Sequence, residues 1–299
     1  MDSETARGAV VISGASTGIG RACALHLDGM GFEVFAGVRT REDADALREA
    51  SSGRLTPIML DITEAGSISG ARKLVADSVG AAGLAGLVNN AGIVVPGPLE
   101  YVPIEGLRSQ LNVNLVGHVA MIQTFLPLLR LSRGRIINVT SIGGRQPVPF
   151  MSPYCASKAG LEALTDSLRM ELRPLGIPVS IVTPGNVSTP IWRKTAASAD
   201  EYLRQMPKSA EDLYGSAFEK TFETSSRMAK KGIPPEVAAR VVARALTASR
   251  PRARYVVGLD AKAQILMARL LPDRIRDLIV TRYIGLNMQK KRSCKEHIN

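Results

Sequence analysis

Seven short, almost uninterrupted apolar runs separated by helical patterns constrain this 299-residue chain most. They are AVVIS (9–13), EVFAGV (33–38), TPIML (56–60), GLVNN (86–90), RIINVTS (135–141), PVSIVTP (178–184) and RYVVG (254–258). A strand with one wet face alternates apolar and polar residues, whereas a strand covered on both faces does not. Such runs between helical segments predict an α/β fold, a doubly wound parallel sheet with helices on both sides. No repeat, linker or composition break interrupts the pattern before residue 260, so a single domain is expected over residues 8–260.

Two stretches fall outside the alternation. Residues 187–235 are polar with scattered Tyr202, Tyr214, Phe218 and Phe222, and a connection this long is expected to act as a substrate lid. Residues 261–285 read as a helical C-terminal extension broken at Pro272, with Ile275, Leu278 and Ile279 on one stripe. Residues 286–299 read as a basic, unpacked tail.

Charge and cysteine usage narrow the function classes. The formal net charge is +11, yet residues 250–299 alone hold 12 Lys and Arg against 4 Asp and Glu. The body is therefore nearly neutral and shows no basic stripe interleaved with aromatics, so nucleic acid is not an expected partner. The basic C-terminal segment, beside apolar residues, suggests a weak membrane-surface contact. Three cysteines (Cys23, Cys155 and Cys294) without a CxxC pair indicate neither a disulfide framework nor a metal site. The opening MDSETARGAV lacks a basic and then apolar leader. A cytoplasmic protein, peripheral to a membrane at most, is the expectation.

The first run leads into Gly14-Ala15-Ser16-Thr17-Gly18-Ile19-Gly20 and then a helix from about Gly18 to Met30. Glycine at a strand end allows a tight turn that brings backbone N–H groups to a pyrophosphate, and the helix offers that anion its positive end. A packing turn of small residues is the blander alternative. The second run ends Val38-Arg39-Thr40-Arg41, with no acid before Glu42. A carboxylate there would take the 2′-hydroxyl of NAD, whereas Arg39 has the fork and fixed charge for the 2′-phosphate of NADP. NADP(H) is expected over NAD(H), unless Arg39 is simply a solvated turn residue.

Ser141 ends the fifth run, and Tyr154 and Lys158, four residues apart, share one face of the next helix. A free tyrosine has a pKa of about 10, too high for a base at neutral pH, and a nearby ammonium lowers it. Ser141 can hold a substrate oxygen while Tyr154 gives or takes a proton.

With these residues the chain resembles the short-chain dehydrogenase/reductase family, in its single-domain, Rossmann-type branch. The resemblance rests on Gly14–Gly20, Asn89-Asn90-Ala91-Gly92, Asn114-Leu115-Val116-Gly117, Ser141, Tyr154–Lys158 and Pro184-Gly185. It implies that Tyr154 is the proton donor and acceptor, that Ser141 orients the carbonyl, and that Lys158 holds the nicotinamide ribose and depresses the Tyr154 pKa. It further implies that Asn114 holds a relay water, that Asp61 and Ile62 contact adenine, and that Asn90 and Gly92 lie beside the cofactor. By the same resemblance Pro184, Gly185, Val187 and Thr189 seat the carboxamide. Residues 254–262 with Leu271-Pro272 resemble the retinol, 17β-hydroxysteroid and 3-hydroxybutyrate dehydrogenase branch.

Blander readings stand beside these. Asn114 could be a buried, satisfied amide, Ser141 a strand cap, Cys155 a packing residue and His118 a core or interface histidine. Trp192 could wall the substrate site or anchor packing. The expected lid residues Trp192, Tyr202, Tyr214 and Phe218 carry no cluster of bases, which favours a small lipophilic (retinoid-, steroid- or terpenoid-like) alcohol or carbonyl. A 3-oxoacyl thioester reductase and a non-catalytic NADP-binding interaction protein are the alternatives. Helices in 104–131 and 153–175 are expected to build a homodimer or homotetramer.

Overall fold

The computed structural model describes residues 7–284 and Leu286. Every expected run is a strand: β1 (Ala9–Ile12), β2 (Glu33–Val38), β3 (Leu55–Met59), β4 (Leu84–Asn89), β5 (Arg135–Val139), β6 (Val179–Pro184) and β7 (Arg254–Val257). They form one parallel sheet in the order β3-β2-β1-β4-β5-β6-β7. The order reverses between β1 and β4, which opens a crevice at the carboxyl ends of these strands.

Alternate residues of each strand serve opposite cores. Val10, Ile12, Val34 and Ala36 pack against helices α1 (Gly18–Gly29), α2 (Arg41–Ala50) and, through Ala239 and Val242, Pro235–Thr247. Val11, Phe35 and Leu87 pack on the other face with α3 (Ala65–Val79) and, through Met121 and Phe125, the helix Gly117–Ser132. That helix is α5; it follows α4 (Ile104–Leu111) through a π-helical turn over Asn112–Val116. The continuous run Ile104–Ser132 is long and apolar enough to cross a membrane by length and composition. Its residues Met121, Phe125 and Leu129 are instead fully buried in the sheet core.

The segment after β6 is helical, with α7 (Pro190–Gln205) and α8 (Lys208–Lys230) preceding α9 (Pro235–Thr247). Here one expectation needs correction. Tyr202, Tyr214 and Phe218 do not line a substrate cleft but bind the lid to the body. Phe218 is fully buried, with ring centroids 5.4 Å from Phe150 and 4.8 Å from Phe222. Tyr214 stands edge-on to Tyr101 and Phe150, and its hydroxyl donates to Glu100 at 2.8 Å. Amphipathic helices turn their aromatic face to the core, so the scattered aromatics mark packing.

The 21-residue α6 (Ser152–Leu172) flanks β5 and β6. After β7 come α10 (Leu259–Leu270) and α11 (Asp273–Ile284), which break at Leu271-Pro272 as the sequence indicates. The expected stripe is present but turned outward: Ile275, Leu278 and Ile279 are all exposed. Apart from Leu286, the expected basic tail lies outside the described residues.

Candidate active site

A cleft of about 480 Å³ opens where the strand order reverses, over the carboxyl ends of the strands. Its near wall is the turn from β1 into α1. Gly14 has φ +66°, and a Cβ there would lie 2.7 Å from the Ala91 Cα, so the turn needs glycine for conformation and for closeness. Ser16, Thr17, Gly18 and Ile19 line the cleft beyond it. Thr17, the N-cap, makes no side-chain bond to the first turn of α1, leaving the helix N–H groups to an incoming anion. Gly20 is different. It does not line the cleft, and a Cβ would sit 2.1 Å from the Gly14 oxygen and 2.5 Å from the Asn90 Nδ2. Its role is close packing of α1 on the turn.

At the adenine-side end, Arg39 is exposed at the tip of β2 and borders the cleft with Asp61 and Ile62 after β3. Asp61 Oδ1 accepts from the Thr63 N–H at 2.9 Å and the Thr63 hydroxyl at 2.6 Å. The Thr63 hydroxyl, with help from the Arg39 charge, holds the Asp61 carboxyl below its ordinary range. The loop chemistry, the helix end and the fork of Arg39 fit a phosphorylated dinucleotide.

The central group comes from β5 and α6. Ser141 follows β5, with its Oγ accepting from the Gly143 N–H at 3.2 Å. Gly143 lets the Tyr154 ring close in, since a Cβ there would meet Cε1 at 3.2 Å. Tyr154 lies in the wall of the cleft with Ser141. Loss of hydration around the phenol outweighs the lowering influence of the Ser141 hydroxyl and pushes its pKa up to about 12. This reverses the direction expected from Lys158: in the free protein, burial of the phenol prevails over any lowering by a nearby ammonium. Burial also pulls the Lys158 ammonium down to about 8, and its Nζ donates to the Val139 carbonyl at 3.0 Å. Asn90, Gly92, Pro184, Gly185, Val187 and Thr189 complete the lining, and Trp192 borders it as a wall residue.

Residues 8–200 match the family model described as short chain dehydrogenase. The chain belongs to the short-chain dehydrogenase family. It is 38% identical over 280 residues to retinol dehydrogenase 5 of Mus musculus, covering 91% of this chain and 87% of that protein. It is also 37% identical over 281 residues to the Homo sapiens 17-beta-hydroxysteroid dehydrogenase type 6, with the same coverage of 91% and 87%. Among solved structures, a short chain dehydrogenase from Burkholderia cenocepacia in complex with NADP superposes with a TM-score of 0.68. The two are 26% identical, over 91% of this chain and 97% of that one. This chain is thus an oxidoreductase of a family that binds NAD or NADP.

In this short-chain dehydrogenase Asn114 does not line the cleft. Its Oδ1 accepts from the Ile93 N–H at 2.9 Å, and its Nδ2 donates to the Ile93 carbonyl at 3.0 Å and to Ser157 Oγ at 3.1 Å. Its side chain is thus a satisfied buried amide. His118 is a core histidine, with Nε2 bonded to the Ala91 carbonyl at 2.8 Å. Burial, then the Lys158 charge, lowers its pKa to about 3, so the ring is neutral. Cys155 is buried and its thiol pushed up by burial, consistent with packing.

Sequence reading missed the charge cluster behind the site. Glu162 accepts from Arg145 Nε at 2.7 Å, from Arg254 Nη1 at 3.2 Å and from the Thr140 hydroxyl at 3.2 Å. Thr140 lines the cleft beside Ser141. The available signal was spacing: Glu162 lies one helical turn beyond Lys158.

Proposed function

We propose that this protein is an NADP(H)-dependent dehydrogenase/reductase that interconverts a lipophilic alcohol, retinoid-, steroid- or terpenoid-like, with its ketone or aldehyde. The observation carrying this reading is that Tyr154, Ser141 and Lys158 line the same cleft as the Gly14–Ile19 turn and Arg39. The bound dinucleotide supplies or accepts the hydride at the carbon that bears oxygen. Everything else falls to the chain. The Ser141 hydroxyl holds the substrate oxygen. Tyr154 Oη donates its proton to that oxygen in reduction, and a pKa near 12 keeps it protonated at neutral pH. In the oxidative direction the phenol must yield its proton first, and the buried Lys158 ammonium is the charge that favours phenolate.

Arg39 supports the phosphorylated cofactor because its guanidinium can grip a 2′-phosphate in bidentate fashion. The nearest cleft acid, Asp61, is engaged by Thr63. On the substrate side Ile93, Val187, Ile191 and Trp192 line the cleft, and among the described residues the bases in the lining are Arg39 and Lys158. An apolar substrate suits that wall. The same reading places the protein in the cytoplasm at a membrane surface, with α10 and α11 toward the lipid. Exposed Ile104, Val116, Leu131 and Met170 on α4 to α6 and the turn joining them suit a second copy of the chain.

Tyr154→Phe tests the mechanism: NADPH binding stays and turnover falls at least about 100-fold. Unchanged turnover overturns it. Arg39→Ala tests the cofactor. Loss of a charge-assisted contact predicts a drop in NADP-over-NAD preference of about 10- to 100-fold, measured as the ratio of kcat/KM values. An unaltered ratio removes Arg39 from the reading.

A further inference from the structure

Beyond Asn89 the chain leaves the sheet, and residues 91–95 have no strand partner. Their backbone groups are instead bonded by side chains from the α4–α5 helix run, spaced four residues apart and all fully buried: Gln110, Asn114 and His118. Gln110 Oε1 accepts from the Val95 N–H at 2.7 Å, and its Nε2 donates to the Ile93 carbonyl at 2.8 Å. Asn114 bonds both backbone groups of Ile93, and His118 bonds the Ala91 carbonyl. A carbonyl only accepts, so His118 Nε2 carries the ring proton.

The match is geometric. Two residues of extended chain advance about 6.6 Å, and four residues of α-helix about 6 Å. Residues 91, 93 and 95 therefore meet 118, 114 and 110 in antiparallel sense. In a straight α-helix the third position would drift about 80° round the axis from the first. The π-helical turn Asn112–Val116, with its Gly117 N–H bonded to the Asn112 carbonyl, winds more widely and removes part of that drift. On its other side the segment is tied to the phosphate turn, because Ser13 Oγ accepts from the Asn90 and Ala91 N–H groups at 3.0 and 3.2 Å. Asn90 through Ile93 line the cleft. A Cβ on Gly92 would stand 3.5 Å from Asn114 Oδ1 and 3.8 Å from Lys158 Nζ, so this floor runs beside the central group.

We propose that Gln110 and His118 are positioning residues for the reaction: with Asn114 they form a side-chain rail that holds Ala91–Val95 as the rigid floor under the nicotinamide half of the dinucleotide. The proposal rests on the dinucleotide reading above. His118→Ala removes one rung. It lowers the affinity of the free protein for NADPH about tenfold, the worth of one hydrogen bond, by isothermal titration. Affinity for adenosine 2′,5′-bisphosphate, which lacks the nicotinamide half, stays unchanged. His118→Gln, which keeps an N–H donor, restores NADPH binding.

Gln110→Leu gives the same selective loss from an independent rung if His118→Ala does not fold. In the wild-type protein the Ile93 and Val95 amides exchange slowly with deuterated solvent. Fast exchange at these amides overturns the proposal. So does unchanged NADPH affinity in the folded variants, or equal loss for both ligands. A wild-type protein that binds neither ligand would instead defeat the dinucleotide reading, which keeps the two failures distinct.

Discussion

Behind the cleft, Glu162 is 6% exposed and bonded to two guanidinium groups and two threonines. In the C-terminal pair of helices, Leu278 is 60% and Leu270 69% exposed. One region buries charge and satisfies it, and the other leaves large apolar side chains in water. Buried polar groups are tolerated only where geometry is fixed, and fixed geometry is what placing Ser141, Tyr154 and Lys158 requires. Large apolar side chains left exposed on neighbouring helices mark contact with something else. Rigidity therefore concentrates where β5, β6 and α6 meet. The extension, packed along α8, β7 and the turn after β5 and bonded through Asp260 to the Asn186 N–H, leaves its outer side chains free to serve as a surface.

The strongest test of that contrast is Glu162→Ala. It leaves Arg145 and Arg254 facing each other with no shared carboxylate, and Arg145 already weakens the protonated form of Arg254. Removing one partner of a buried ion pair costs about 3–5 kcal/mol. Both arginines keep roughly 30% exposure, so water absorbs part of the loss and the low end, about 3 kcal/mol, is expected. Urea denaturation measures it. Glu162→Gln, which retains an acceptor for Thr140, loses less. A loss below about 1 kcal/mol, the range of surface pairs, would mean the cluster behaves as solvated charge and the contrast fails.

Much of the fold was legible because burial on both faces leaves its mark in strands such as Val34–Val38, where no polar residue interrupts the run. The cleft residues were legible for a related reason: glycines at 14 and 18 and the Tyr154/Lys158 spacing are demanded by backbone and by helix geometry. The rail was not. Gln110 and His118 keep a four-residue spacing with Asn114, but they bond main-chain atoms of residues 91–95, a segment without periodicity, so the spacing alone names no partner. Nor was the direction of the Tyr154 shift, because it depends on whether burial or a neighbouring charge is larger, a comparison that needs distances. The lid aromatics misled because Phe218 meets Phe150, a residue 68 positions earlier that no local pattern links to it.

The smallest stability effect belongs to the extension, where the largest change is in location. Leu266, Leu270 and Leu278 are 57%, 69% and 60% exposed, so changing each to serine alters stability by no more than about 0.5 kcal/mol. If α10 and α11 rest on lipid, the same triple change removes apolar contacts worth about 1.5–3 kcal/mol per fully buried leucine. Sedimentation with phosphatidylserine vesicles should then fall at least tenfold. Exposed Lys262, Arg269, Arg274 and Arg282 lie on the same two helices, and a base near an anionic surface contributes about 1 kcal/mol. Wild-type binding should therefore weaken on neutral vesicles and at high salt. Unchanged sedimentation of the triple variant rules out this apolar face as the lipid contact. Destabilisation well beyond 0.5 kcal/mol would show instead that protein, most simply a second copy of the chain, covers these leucines in solution, and the two regions would then differ in partner rather than in packing.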